Sequence, residues 1–559
     1  MLPGAAEGSK TTTRLMPGVT YTKEVRWVRG GPVVTHVIAG PKPGGLWALR
    51  PVLSGGTVLG REPLTSIQRS LSGRATIAGV NGDYFNTERG NPSGILLRDG
   101  VLDARPNSRR SSLGVAFDGT LHVRRLAYSG TWQVDGFRAH RLEEFNHVLL
   151  NPPGVGLFTP TWGGRTPERR SALDVVLAGL PPVMANGYQT ARVVRFERGG
   201  GTNVPAGGAV LQALGSWRQV VRAEARAGRS LTIHAGLSPL WADVADAIGG
   251  GPVLVRRGRA IFRAREEFTS AQLVPRHPRT AVGQLATGRV ILVAVDGRSG
   301  ASYGLRTWEL ALEMMRLGAV TAMSFDGGGS TTLAFDRRVL NVPSDGAERP
   351  LADGLFLLFY GAYAPPPRHR VFSPNGDGVL DVQRLRARVV RRSHVRVSVL
   401  GPTGRVHWSH AGWTRPSTLV YDLAERRIAD GRWRWVVESE DGAGRRSRMQ
   451  RTFLVNKTLG HLRLGRRRVA ARRPLDVSVV LTRPARLRVT IRRRSDDALV
   501  RVLKAGAARP GALRFHWNVR TARGRVVSPG GMRVSVRARN GLGTIGLQRS
   551  FLVVRAGRG

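Results

Sequence analysis

A chain of 559 residues has room for two to four domains, and 41% hydrophobic content with 12 tryptophans excludes global disorder. The absence of cysteine excludes disulfides, thiolate metal sites and a cysteine nucleophile. Formal net charge is +49, nearly all of it from arginine, and 71 glycines with 32 prolines favour a turn-rich, strand-rich protein over a helical bundle.

Taken in chain order, residues 1–18 are small and polar and predict a disordered lead. They contain no apolar h-region, so no signal peptide is visible. No later apolar run approaches the roughly 18–20 residues that span a bilayer. Residues 19–362 mix short Val/Ile/Leu runs, glycine-rich turns and a few helical stretches, and predict one catalytic domain. Within it, RATIAGVNGDYFN (74–86) is an apolar strand ending in Asn-Gly-Asp. Asn81 and Asp83 then sit at a strand end or in a hairpin turn.

Residues 279–335 carry the richest pattern. RTAVGQL and RVILVAV flank ATG and predict a hairpin with Arg279 roughly opposite Asp296. In 306–318, Leu310, Met314 and Leu317 recur at helical spacing, and Gly318 supplies a stop. AVTAMSF then reads as a buried strand ending at Asp326. Strand, helix, strand predicts a right-handed crossover between parallel strands. The expected fold is therefore a mixed α/β (α+β) catalytic domain whose mixed sheet contains a parallel βαβ unit. That arrangement puts Asp296, Asp326, Arg279 and Arg298 at one sheet edge, where open α/β sheets bind ligands. Two carboxylates there can serve glycosidic cleavage, and arginines bind phosphate bidentately. Gly327 and Gly328 let backbone N–H groups approach an anion, and Ser330 adds a hydroxyl. An Asp-Gly turn alone is commonly structural.

YAPPPRHR (363–370) is a linker by its prolines. Beyond it, short alternating strands predict two all-β modules, 371–456 and 457–556. DGRWRWVVESEDGAGRRSRMQRTFLV (430–455) aligns with GGMRVSVRARNGLGTIGLQRSFLV (530–553), matching Gly431 to Gly531 and Phe453 to Phe551. The repeat near 100 residues fits immunoglobulin-like sandwiches, with Trp433, Trp435 and Phe453 as core. Residues 361–559 hold 44 basic and 11 acidic side chains, so the charge excess concentrates there. Such a surface attracts polyanions, including an acidic cell-wall polymer. No stacking platform or reading helix points to specific nucleic-acid binding. In FSPNGDGVLD (372–381), Asn375, Asp377 and Asp381 alternate as Ca²⁺ ligands do, or as Asx-turn caps do.

NGDYF (81–85), AIGGGPVLV (247–255), HPRTAVG (277–283), VDGR (295–298), FDGGGSTT (325–332) and LNVPSDGAERP (340–350), in that order, resemble the phosphodiester glycosidase family. The resemblance covers about 19–362, with a loosely matching middle. It implies hydrolysis of a sugar C1–O bond to a phosphodiester, with no cofactor required for catalysis. Carried over by motif, Asp296 and Asp326 are catalytic. Arg279, Thr280, Arg298, Gly327, Gly328, Ser330 and Arg349 bind substrate, chiefly its phosphate, and Asn81 and Asn341 bind sugar or order loops. Family members often have Gly in place of Asp83, which keeps Asp83 off the catalytic set. His277 beside Pro278 reads as structural. The C-terminal modules resemble Ig-like modules related to the flagellar hook-capping protein; the loop 372–381 matches the opening of such modules and is where a structural Ca²⁺ is expected, in the first module. The expected setting is extracellular or the cell envelope, with a sugar-phosphate or anionic glycan as substrate. Two alternatives are a non-catalytic wall-binding protein and a metal-dependent phosphodiesterase using Asp83, Asp296 and Asp326.

Overall fold

The computed structural model describes residues 8–28, 30–262, 265–470 and 473–555. Residues 1–7 of the expected lead and residue 556, the end of the second expected module, lie outside the described residues. The chain divides into two compact units, Met1–Tyr360 and Gly361–Gly559.

The first unit is built almost wholly from antiparallel sheets. One eight-stranded sheet runs in the order Lys10–Met16, Val19–Val28, Gly31–Gly40, Val290–Val295, Arg279–Leu285, Ala319–Ser324, Val253–Arg256, Arg259–Ala260, and every neighbouring pair is antiparallel. This corrects the expected parallel βαβ unit. The hairpin strand Arg279–Leu285 inserts between Val290–Val295 and Ala319–Ser324 and pairs antiparallel with both. The helix Thr307–Arg316 thus links two strands that are not neighbours. Both run opposite to the strand between them, so both end at the same edge. Residues 10–16 are also not disordered: threonines suited to a pleated edge pair with Val19–Val28, Lys10 facing Glu24.

The strand Val290–Val295 is buried along its whole length, which explains its unbroken apolar run. Leu310, Ala311 and Met314 of the helix cover one face of the sheet, packing with Ala281, Val293 and Ala322. Each such side chain contributes about 1.5–3 kcal/mol when fully buried. The helix begins where the Arg306 N–H donates to Glu309 at 2.8 Å and ends at Gly318, whose φ of +89° is left-handed. A five-stranded antiparallel sheet, ordered Arg338–Val339, Leu333–Phe335, Thr76–Asn81, Asp353–Phe359, Trp47–Leu53, meets the first sheet at Asp326. There the Asp326 N–H donates to the Gly82 carbonyl at 3.1 Å and Asn81 Nδ2 donates to the Asp326 carbonyl at 2.8 Å.

The second unit holds two pairs of β-layers. In the first, a five-stranded sheet accompanies the pair Gln383–Val389 and Ser417–Leu423; in the second, a three-stranded sheet accompanies a five-stranded one. Trp433, Trp435 and Phe453 are buried, as expected. The repeat is real but shifted by one residue. Gly431 pairs with Val455 and Gly530 with Val553, so Gly530, not Gly531, is the counterpart of Gly431. Both have φ beyond +130°, a conformation that costs glycine least.

Candidate active site

A cavity of about 170 Å³ opens at the sheet edge where Ala319–Ser324 ends, lined by Tyr84, Ala271, Gln272, His277, Arg279, Arg298, residues 326–329 and Arg349. It gathers one carboxylate and three guanidiniums from four separate stretches of chain.

Arg279 is 5% exposed. Its guanidinium donates to three carbonyls: Leu305 at 2.8 Å, Gln272 at 2.8 Å and Pro275 at 3.0 Å. No carboxylate forms an ion pair with it among the described residues. Burial lowers its pKa, as does the neighbouring Arg298 charge. Arg298 sits at φ +59°, a left-handed conformation unusual for arginine, and its Nη2 lies 3.4 Å from His277 Nδ1. Burial and the two arginines lower the His277 pKa, favouring a neutral ring. Arg349 pairs with Asp345 at 2.7 Å and donates to Ser330 Oγ at 3.4 Å.

Asp326 projects among these cations. Burial pushes its carboxyl up to about 6, against the opposing pull of Ser330, the Gly327 N–H, Arg349 and Arg110. The glycines after it have steric rather than anion-cradling roles. The Gly327 N–H donates to Asp326 Oδ1 at 2.9 Å and the Gly328 N–H to the Pro278 carbonyl at 2.9 Å, so both are spent internally. A Cβ at Gly329 would collide with the Arg349–Asp345 pair, and one at Gly328 would crowd the Arg298 guanidinium. Loss of the side chains makes room for guanidiniums.

Asp296 is placed elsewhere. It is 5% exposed and does not line the cavity. Its Oδ2 lies 2.9 Å from His36 Nε2, and its Oδ1 accepts the Val342 N–H at 2.9 Å. His36 Nδ1 in turn lies 2.8 Å from the Tyr21 hydroxyl. Burial and the Asp296 charge push the Tyr21 phenol up to about 12. Asp296 therefore holds the 340–350 loop, which carries Arg349, and the expected pairing of Asp296 with Asp326 across one cavity is not formed.

Asn81, Thr280 and Asn341 are buried and face protein, not the cavity. Asn81 Oδ1 accepts the Thr280 hydroxyl at 2.7 Å and the Thr332 N–H at 3.0 Å. Asn341 accepts the Leu333 N–H at 2.8 Å and donates to the Thr331 carbonyl at 3.0 Å. These side chains order the loops around Asp326, the second of the two roles expected for Asn81 and Asn341.

One residue was missed. Asp353 is 1% exposed, and its Oδ1 accepts the Asp83 N–H at 2.8 Å while its Oδ2 has no hydrogen-bond partner among the described residues. Asp83 accepts N–H bonds from Tyr84 at 2.8 Å and Gly94 at 2.6 Å. Burial pushes Asp83 up to about 7, and burial with the adjacent Asp83 charge pushes Asp353 well above the usual range. A Cβ at Gly82 would strike Asp353, and one at Gly249 would strike Asp83. The glycines of NGDYF and AIGGGPVLV thus accommodate a buried acid pair. The signal for Asp353 was a carboxylate heading an apolar strand, DGLFLLF, the mirror of the pattern ending at Asp83.

The trio required for a metal-dependent phosphodiesterase is not assembled, since the oxygens of Asp83 and Asp296 are taken by backbone N–H groups and His36. In the second unit, Asp381 accepts N–H bonds from Asn375, Gly376 and Gly378, Asp377 accepts from Val379 and His461, and Asn375 Oδ1 accepts from Asp377. These oxygens accept from backbone donors in an Asx-type network, the second of the two readings of this loop.

Residues 184–358 match the phosphodiester glycosidase family. The match spans Arg279, Arg298, Asp326, Arg349 and Asp353, and leaves Asp83 and Tyr84 outside it. The chain is 37% identical over 67 residues to bovine N-acetylglucosamine-1-phosphodiester alpha-N-acetylglucosaminidase, 12% of each protein. It is 35% identical over 97 residues to the SPbeta prophage-derived uncharacterized protein YomE of Bacillus subtilis, 17% of this chain and 15% of that one. The chain thus spans well under a fifth of the length of these curated relatives. In fold it is similar to a hypothetical protein from Synechocystis, with TM-score 0.54 and 23% identity over 63% of this chain and 64% of that one. The phosphodiester glycosidase match therefore falls on the half of the site that carries the cations and Asp326.

Proposed function

We propose that the first unit hydrolyses the C1–O bond of a sugar-1-phosphodiester. The observation that carries the reading is Arg279, a buried guanidinium without a carboxylate ion pair among the described residues, sharing a small cavity with Arg298 and a carboxylate raised to about 6. A buried cation held by carbonyls and not by a carboxylate keeps its net charge and favours an anion beside it. The cavity is smaller than pockets that enclose a whole drug-sized ligand, which suits a phosphate group with its sugar extending outward.

In this reading Arg279, Arg298 and Arg349 take the phosphate. The C1–O bond breaks and its electron pair leaves on the phosphate oxygen, where the guanidiniums stabilise the growing charge. Phosphate is a good leaving group, so no second carboxyl need face the cavity as an acid. Water supplies hydroxyl to C1, and ionised Asp326 takes its proton. Asp296 acts by positioning the 340–350 loop. We read the second unit as two Ig-like modules that hold the enzyme on an acidic envelope or extracellular polymer.

The test is hydrolysis of a panel of sugar-1-phosphodiesters in ¹⁸O-labelled water. Label in the free sugar supports C1–O cleavage; label in the phosphate would falsify it.

A further inference from the structure

A second concave site lies in the first unit, away from the cavity around Asp326. Its volume is about 600 Å³, and Arg124, Arg125, Arg256 and Arg257 line it together with His122 and Thr321. The strand Leu121–Arg125 supplies the first pair of arginines, and the hairpin of Val253–Arg256 with Arg259–Ala260 supplies the second.

Two independent features mark this groove. The first is charge without compensation. Some arginines elsewhere in this unit have acid partners, among them Arg50 with Asp99, Arg98 with Asp103, Arg105 with Glu144 and Arg195 with Glu197, and others such as Arg141 and Arg222 have none among the described residues; the groove differs in gathering four unpaired ones around one concavity. Among the described residues none of the four groove arginines has an ion pair, although each is exposed. Asp243 faces His122 at 3.2 Å. Four like charges around one concavity repel each other, and an anion relieves that repulsion. The second feature is backbone. Arg257 and Gly258 form the hairpin turn with φ of +49° and +71°, both left-handed. Asn, Asp or Gly adopts the first of these positions at less cost than arginine does. The turn holds a guanidinium where a cheaper residue would fit.

The strand Ala319–Ser324 connects the two sites. Arg256 pairs with Thr321, which lines the groove, and Asp326 lies five residues further on. At about 3.3 Å per residue the sites stand about 17 Å apart along the sheet. A single small phosphodiester cannot touch both, whereas a chain with several phosphates can.

We propose that this groove is an exosite for a phosphate-rich polyanionic chain. As a statement about substrate it rests on the glycosidase reading, since a polymer held here keeps further linkages within reach of Asp326. As a statement about binding it stands alone.

The test uses the full chain with inorganic polyphosphate as the probe and orthophosphate as the single-phosphate comparison. The readout is local hydrogen–deuterium exchange. Wild-type protein should gain protection in 121–125 and 253–260 with polyphosphate and much less with orthophosphate. With four phosphate contacts, the affinity should fall on the order of fifty-fold between 50 and 200 mM salt. The variant R124Q/R125Q/R256Q/R257N should lose the protection. A charge-matched control, R141Q/R192Q/R198Q/R222Q, should keep it. Equal loss in both variants, protection surviving in the groove variant, or equal protection by orthophosphate would each overturn the proposal. Hydrolysis of a small sugar-1-phosphodiester separates the two readings. The groove variant should keep it if both are right, and its absence from wild type sinks the glycosidase reading while leaving the exchange result standing.

Discussion

Asp296 and Asp326 end two strands of one sheet, run out at the same edge, and flank the strand that begins with Arg279. Each is followed by glycine, yet their surroundings differ. After Asp296 the chain folds back: Ser302 Oγ donates to the Asp296 carbonyl at 2.6 Å, and Gly297 packs tightly against Pro278. The carboxylate is turned to His36 and the Val342 N–H. After Asp326 three glycines remove side chains in front of Arg298 and Arg349, and the carboxylate is left among cations with an elevated pKa. A strand-end aspartate is thus made structural or chemical by what the next few residues leave open.

The largest effect that could break this comparison is Asp326→Asn. It should lower kcat by on the order of a thousandfold, the usual size of a lost general base, while the melting temperature stays level or rises. Asp296→Asn should do the reverse: a loss of about 1–3 kcal/mol in stability from the buried hydrogen bonds, with a smaller loss of activity. Denaturant melts and initial rates on both variants decide it, and the opposite ranking would refute the assignment. Next in size, Arg298→Gln should lower kcat/KM by about ten- to a hundredfold through the lost charge-assisted contact, chiefly in KM. An unchanged KM would remove Arg298 from phosphate binding. In the wild type, activity should fall about tenfold per pH unit below pH 6, because protonated Asp326 cannot accept a proton. An acidic limb at pH 4 instead would point to a carboxylate outside the buried set.

Local elements in this region were legible where chemistry is local. The hairpin 279–295, the helix 307–316 and the strand 319–324 follow from apolar runs, a glycine turn and a 3.6-residue period. Pairing order was not legible, because connectivity through a helix fixes the direction of two strands and leaves open what lies between them. Here the preceding hairpin strand fills the gap. The same limit applies to the charges. Arg279, Arg98 and Arg124 look alike in sequence, and only the fold shows that one is buried against carbonyls, one paired with Asp103 and one without an ion pair among the described residues. Asp353 was visible as a carboxylate before an apolar strand, but its partner Asp83 lies 270 residues earlier and meets it only through strand pairing.

The acid pair gives the smallest of the expected effects and tests whether Asp83 and Asp353 share the cost of ionisation. Asp83, at about 7, and Asp353 are both held above the unfolded carboxyl value of 3.8. Between about pH 4 and 7 the folded state therefore binds more protons than the unfolded state, and stability falls as pH rises through that window. Asp246 and Asp326, each raised to about 6, contribute with the same sign. Asp353→Asn keeps an oxygen for the Asp83 N–H and offers an amide that can donate to the Asp83 carboxylate. It should reduce the fall in melting temperature between pH 5 and pH 8 by a few degrees without abolishing it. If the variant melts with the same pH slope as wild type, the two carboxyls do not share the cost of ionisation.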